Sequence, residues 1–202
     1  MSAIRAVLWD ADGVLQEVPR GWRALLIEAI GQPATDQVLT EIWPVAKAAM
    51  AGRADLIPAL DELLTRHGLV DAEHAVKEVW GTFIRFEGTR ELVASIRRSG
   101  VSCHLATNQD QLRAAYMRER LGYDDLLDSS FYSCDVGAAK PSARFFGRVL
   151  DKLGLAPEQV VFVDDTEVNV TSASDLGLHG ICWHHRDGLD VLRSALAALG
   201  VC

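Results

Sequence analysis

VLWDADGVLQ, residues 7–16, places a run of large apolar residues directly before two aspartates, Asp10 and Asp12, with no basic side chain beside them. The apolar run, beginning at Ile4, reads as a buried strand, and Gly13 behind the acids reads as a tight turn. A core strand that ends in two unneutralised carboxylates points to a ligand site at that strand end, because open α/β sheets bind their ligands there.

Further β-rich runs follow at residues 101–106, 131–134, 160–163 and 180–183, with amphipathic stretches at 90–99, 111–121, 142–153 and 168–176. The alternation predicts an α/β fold, a Rossmann-like parallel sheet with helices on both faces. Residues 18–86 break the pattern. They read as successive helices at 22–30, 36–50, 55–67 and 72–84, punctuated by Gly21, Gly31, Pro33, Gly52 and Gly68. The expected organisation is a core domain built from 1–17 and 87–202, with a small α-helical cap domain, 18–86, inserted after strand 1.

Composition narrows the function. With 202 residues, 49% apolar and 24% charged, the chain has the make-up of a folded globular protein and not of a disordered or fibrous one. A formal charge of −8 argues against a non-specific grip on nucleic acid or on an anionic membrane. No segment reaches the roughly 18 consecutive apolar residues of a membrane span, and the start of the sequence lacks a signal-peptide pattern. The expectation is a cytoplasmic protein, monomer or homodimer. Cys103, Cys134, Cys182 and Cys202 show neither a disulfide framework nor zinc-ligand spacing, and buried free thiols are expected.

The residues that follow each expected strand form a set. Strand one ends in Asp10-Ala11-Asp12-Gly13, the second in Thr107-Asn108, and the fourth in Asp164-Asp165; after the third comes Lys140-Pro141. Singly, each has a structural explanation as a turn former, a helix cap or a solvated loop charge. Jointly they suit phosphoryl transfer to a carboxylate, in which an aspartate nucleophile forms an acyl phosphate. An anion attacking a phosphate needs positive charge between the two. Mg²⁺ held by Asp10 and Asp165, with Asp164 close by, would supply it, and Lys140 adds a second positive charge. Thr107 and backbone N–H groups of the following helix are expected to bind phosphate oxygens. Asp12 lies close enough to protonate the leaving group and then to deprotonate a water.

In order and spacing, DADGV (10–14), LATN (105–108), Lys140-Pro141 and VDDTEVN (163–169) resemble the motifs of the haloacid dehalogenase superfamily, in its small α-helical cap subgroup of phosphatase type. The resemblance implies Asp10 as nucleophile and Asp12 as acid/base and as an Mg²⁺ ligand through its carbonyl. It also implies Thr107 and Lys140 as phosphate binders, Asp165 as the firmest metal ligand, and Asn169 as support behind it. Asp12, absent from the dehalogenases themselves, argues for phosphatase or phosphomutase chemistry. Trp9 stands where the family commonly carries Phe.

Outside this set, Arg53, between two expected cap helices, is a candidate to reach a polar or anionic substrate, as is Asn108 beside Thr107. Trp22, Trp43 and Trp80 read as packing residues, and His104, His179 and His184-His185 as structural. The expected function is Mg²⁺-dependent hydrolysis of a small phosphomonoester, a sugar phosphate or similar metabolite, through an aspartyl phosphate. The alternatives are a phosphomutase of the β-phosphoglucomutase type and a non-catalytic binding module on the same fold.

Overall fold

The computed structural model describes residues 3–201. In chain order the elements are β1 (Ala6–Trp9), β2 (Gln16–Glu17), α1 (Trp22–Ile30), α2 (Gln32–Met50), α3 (Leu56–Arg66), α4 (Glu73–Trp80), β3 (Ile84–Arg85) and α5 (Glu87–Arg98). They continue with β4 (Ser102–Thr107), α6 (Gln111–Arg120), α7 (Tyr123–Leu126), β5 (Ser129–Tyr132), α8 (Ser133–Val136), α9 (Ala143–Leu153), β6 (Val160–Asp164), α10 (Glu167–Asp175), β7 (His179–Cys182) and α11 (Leu189–Ala198).

Five strands form one parallel sheet in the order β5-β4-β1-β6-β7. Its centre, β1, is buried on both faces, which is why it reads as an unbroken apolar run and not as an alternation. The strand period of two divides its side chains. Val7 and Trp9 enter one core with Leu105, Val163 and Leu192, while Ala6 and Leu8 enter the other with Phe146 and Phe162. Leu8 is fully enclosed, so truncating it to Ala costs about 2–5 kcal/mol through lost transfer energy and a residual cavity.

Helices α1 to α4 pack around an apolar cluster of their own, which includes Leu26, Val38, Ile42, Leu60 and Trp80. The chain enters and leaves this insertion through β2 and β3, paired antiparallel as Gln16 with Arg85 and Glu17 with Ile84. Residue 84 therefore belongs to a strand and not to the expected 72–84 helix. That helix stops at Trp80, where a glycine, a poor helix former, follows; the Tyr116 ring, 2.7 Å from where a Cβ would stand, leaves room for no other residue.

Other expectations also need correction. The third strand is Ser129–Tyr132, set by the pairing of His104 with Ser129, and Cys134 lies in α8. Trp43 is 44% exposed because the buried stripe of α2 runs through Val38, Ile42 and Ala46 and leaves it outside. Lys47 lies over its ring. Cys103 and Cys134 are buried, but Cys182 is exposed because edge strand β7 turns one face to solvent; Cys202 lies outside the described residues. Among those residues no helix is long and apolar enough to cross a membrane.

Candidate active site

The strand ends converge as the topology requires. At the end of β1 the Asp10 N–H bonds Val163 O, and Ala11 O accepts the N–H groups of Val14, Leu15 and Gln16. This tight turn brings both aspartates to one cavity. Gly13 makes it with φ 81°, and a Cβ there would lie 2.3 Å from Asp165 Oδ2. Glycine is thus required twice, for the left-handed backbone and for the close approach of a carboxylate.

Lys140 lies at the floor. Its Nζ is 2.8 Å from Asp10 Oδ1 and 2.6 Å from Asp164 Oδ2, with all three side chains nearly closed to solvent. The Asn108 side chain positions this lysine reciprocally, donating from Nδ2 to Lys140 O and accepting the Lys140 N–H, each at 2.9 Å. Asp164 also accepts from Thr166 N and Asn169 Nδ2. These donors hold a fully enclosed carboxylate in place behind Asp10 and Asp165.

Asp10, Asp164 and Asp165 each offer an oxygen within 4.8 Å of the others. Burial pushes Asp10 up to about 7; Lys140 opposes that rise, and Asp164 and Asp12 add to it. Asp165 is also raised, by burial and by Asp164 against the Thr166 hydroxyl. One ammonium does not balance these carboxylates. Hard oxygen donors at this spacing, short of positive charge, fit a divalent cation such as Mg²⁺.

A cavity of about 420 Å³ opens over the cluster, lined by Asp10, Asp12, Thr107, Asn108, Lys140 and Asp165 among others. Asp164 lies beneath the lining. Arg53 is elsewhere, in a separate hollow with Gly137, Ser142 and Arg144. A larger hollow of about 540 Å³ near the start of β4 holds no such chemistry. Its Arg97 is committed to Asp128 and to the carbonyls of Asp125 and Leu126.

Four contributors were not anticipated from sequence. Gln16 and Gln109 donate to the two oxygens of Asp12, and Glu17 and His184 line the cavity mouth. The pairing of Gln109 with Asp12 spans 97 positions, and no local pattern encodes it. His184 was legible only as the residue just past the last strand.

A family model described as a haloacid dehalogenase-like hydrolase matches residues 4–177. A phosphorylated carbohydrates phosphatase of Thermotoga maritima is 26% identical over 97% of this chain and 94% of its own. In fold, an HAD-like family hydrolase of Porphyromonas gingivalis superposes with a TM-score of 0.75 at 22% identity, covering 97% of this chain and 98% of that one. An HAD family enzyme of Bacteroides thetaiotaomicron, solved with magnesium and inorganic phosphate, superposes with a TM-score of 0.75 at 19% identity over 89% and 93% of the two chains.

Proposed function

The chain belongs to the haloacid dehalogenase-like hydrolases and is an enzyme of the phosphatase kind, and from that premise we propose that it hydrolyses a small neutral sugar or polyol phosphate through an aspartyl phosphate at Asp10. The observation that carries the reading is Lys140 bridging Asp10 and Asp164 beneath a cavity that Thr107 and Asp12 also line.

In the first half of the reaction an Asp10 oxygen attacks phosphorus, the bond from phosphorus to the leaving oxygen breaks, and Asp12 gives that oxygen a proton. In the second half water attacks phosphorus, Asp12 takes a proton from it, and the bond to Asp10 breaks to free inorganic phosphate. Lys140 and the Thr107 hydroxyl bind the phosphoryl oxygens and draw off their charge. Asp10, Asp165 and the Asp12 carbonyl, with Asp164 behind, would hold Mg²⁺, which supplies Lewis-acid charge neutralisation when bound. The helical insertion, residues 18–86, acts as a cap over a core of 1–17 and 87–202, limiting access to the cavity.

The choice of leaving group follows from the cavity mouth. Glu17, Val18, Thr166 and His184 line it, the lysine is spent on the floor, and Arg53 faces another hollow. Glu17 is already paired with Arg186 at 2.8 Å, and among the described residues no Lys or Arg other than Lys140 lines the cavity, so a second anionic group on the substrate would find no uncommitted cation, whereas hydroxyls find donors and acceptors. The carbohydrate specificity in the name of the Thermotoga relative agrees with this reading. The test is phosphate release from sugar phosphates, a phosphorylated carboxylic acid and nucleoside monophosphates, with Mg²⁺ and then with EDTA. Metal-dependent release that favours the sugar phosphates is expected; no release from a folded protein would overturn the reading.

A further inference from the structure

Gln109 is fully buried, and its Nε2 donates both to Asp12 Oδ2 at 2.9 Å and to Thr107 Oγ1 at 3.3 Å. Its backbone is pinned on the far side. The Gln109 N–H donates to Ser133 Oγ, and that hydroxyl donates back to Gln109 O. The other Asp12 oxygen accepts from Gln16 Nε2 at 3.0 Å, and Gln16 is itself fixed by the Tyr123 hydroxyl donating to its Oε1 at 2.9 Å.

Each oxygen of Asp12 receives an amide N–H, one from Gln16 and one from Gln109, so the Gln109 amide turns its nitrogen to the carboxyl and its oxygen away. The cost of this orientation appears on the opposite atom. Gln109 Oε1 is buried without a hydrogen-bond partner among the described residues. A side chain present only to fill space would be apolar and would leave no orphaned oxygen. The amide is retained here for its donors.

We propose that Gln109 is a positioning residue: it ties the Asp12 carboxylate to the Thr107 hydroxyl and fixes the orientation in which Asp12 meets the leaving oxygen and the attacking water. The inference rests on the assignment of Asp12 as acid and base in the proposed function, and it adds a residue that touches neither substrate nor metal. Gln16 completes the clamp from the strand at which the chain enters the insertion.

The test separates leaving groups. p-Nitrophenolate departs without a proton, whereas an alkoxide needs one. In Gln109→Met, which keeps length and loses the donors, kcat/KM for ethyl phosphate is expected to fall about tenfold to a hundredfold further than kcat/KM for p-nitrophenyl phosphate, part of the full acid–base contribution. A burst of nitrophenolate near one per chain, followed by slow turnover, should accompany it, because attack by water also needs Asp12. Equal losses on both esters, or wild-type behaviour on both, would overturn the inference. Gln109→Leu serves if the Met variant does not fold, and failure of both to fold would assign Gln109 to structure alone. Asp12→Ala is run alongside. Wild-type turnover in that variant sinks the acid–base assignment itself, whereas a slow Asp12→Ala beside an unaffected Gln109→Met sinks only the positioning role.

Discussion

The Lys140 ammonium lies 2.6 Å from Asp164 Oδ2, and neither side chain is open to solvent. Burial alone would pull the lysine down, but Asp10 and Asp164 outweigh it and hold it above its ordinary value. Removing one partner of a buried pair leaves a charge with nothing to offset its desolvation. Lys140→Met should therefore lose about 3–5 kcal/mol of stability as well as turnover. Urea unfolding in EDTA measures it, and a loss of the size of an exposed pair, under about 1 kcal/mol, would contradict the buried geometry.

Asp10→Asn keeps the size of the nucleophile and removes its charge. Phosphate release should disappear while the urea midpoint stays level or rises, because the substitution relieves a carboxylate that burial already pushes up to about 7. Near-normal phosphate release would rule out the covalent route through this residue.

Gly13→Ala probes the close approach to Asp165. With φ 81° and an added Cβ 2.3 Å from Asp165 Oδ2, the variant must shift the turn or the carboxylate. A stability cost above about 1 kcal/mol is expected, with a higher Mg²⁺ concentration for half-maximal activity. A magnesium titration followed by activity and by calorimetry checks both.

Trp80 joins the insertion to the core. Its Nε1 donates to Asp110 Oδ2 at 3.0 Å, and its carbonyl accepts from Arg113 Nε at 3.3 Å. Trp80→Phe leaves one oxygen of the buried Asp110 short of a donor, at a cost of about 1–3 kcal/mol. Faster proteolytic cutting within residues 18–86 should follow, and an unchanged digestion pattern would show that this bond does not hold the insertion down.

His104 makes a pH-dependent contribution to stability. Burial lowers its pKa below the ordinary 6.5, with Asp128 raising it and Arg97 lowering it further. As the pH drops below 6.5 the unfolded chain takes up a proton that the folded chain refuses, so stability falls with the pH. The Tm advantage of wild type over His104→Gln should therefore narrow between about pH 7.5 and 5.5. A constant gap would show that His104 does not titrate differently on folding.

The parallel sheet was legible because β1 and β6 are apolar runs and β4 ends in one, Leu105-Ala106, each closed by a polar residue, and those closing residues are the ones the topology gathers. Less was legible where tertiary contact overrides local pattern. Ser129 and Ser130 look like loop residues, yet they pair with His104 and Leu105. Ile84 continues a helical rhythm that had already ended before Gly81. Arg53 sits in the expected loop, but its cavity is not the one above Asp10. Gln16 and Gln109 carry no signature, since an amide reads as surface polarity until the fold buries it against a distant carboxylate.

The paired strands β2 and β3 make the four-helix insertion, from the viewpoint of the sheet, an enlarged hairpin loop: both crossings occur side by side at Gln16–Arg85 and Glu17–Ile84. A segment whose two ends meet can be lengthened, shortened or exchanged without re-threading the strands beneath it. The residues that line the cavity at Asp10, Thr107, Lys140 and Asp165 all lie outside that segment, so the floor can outlast any rewriting of the loop.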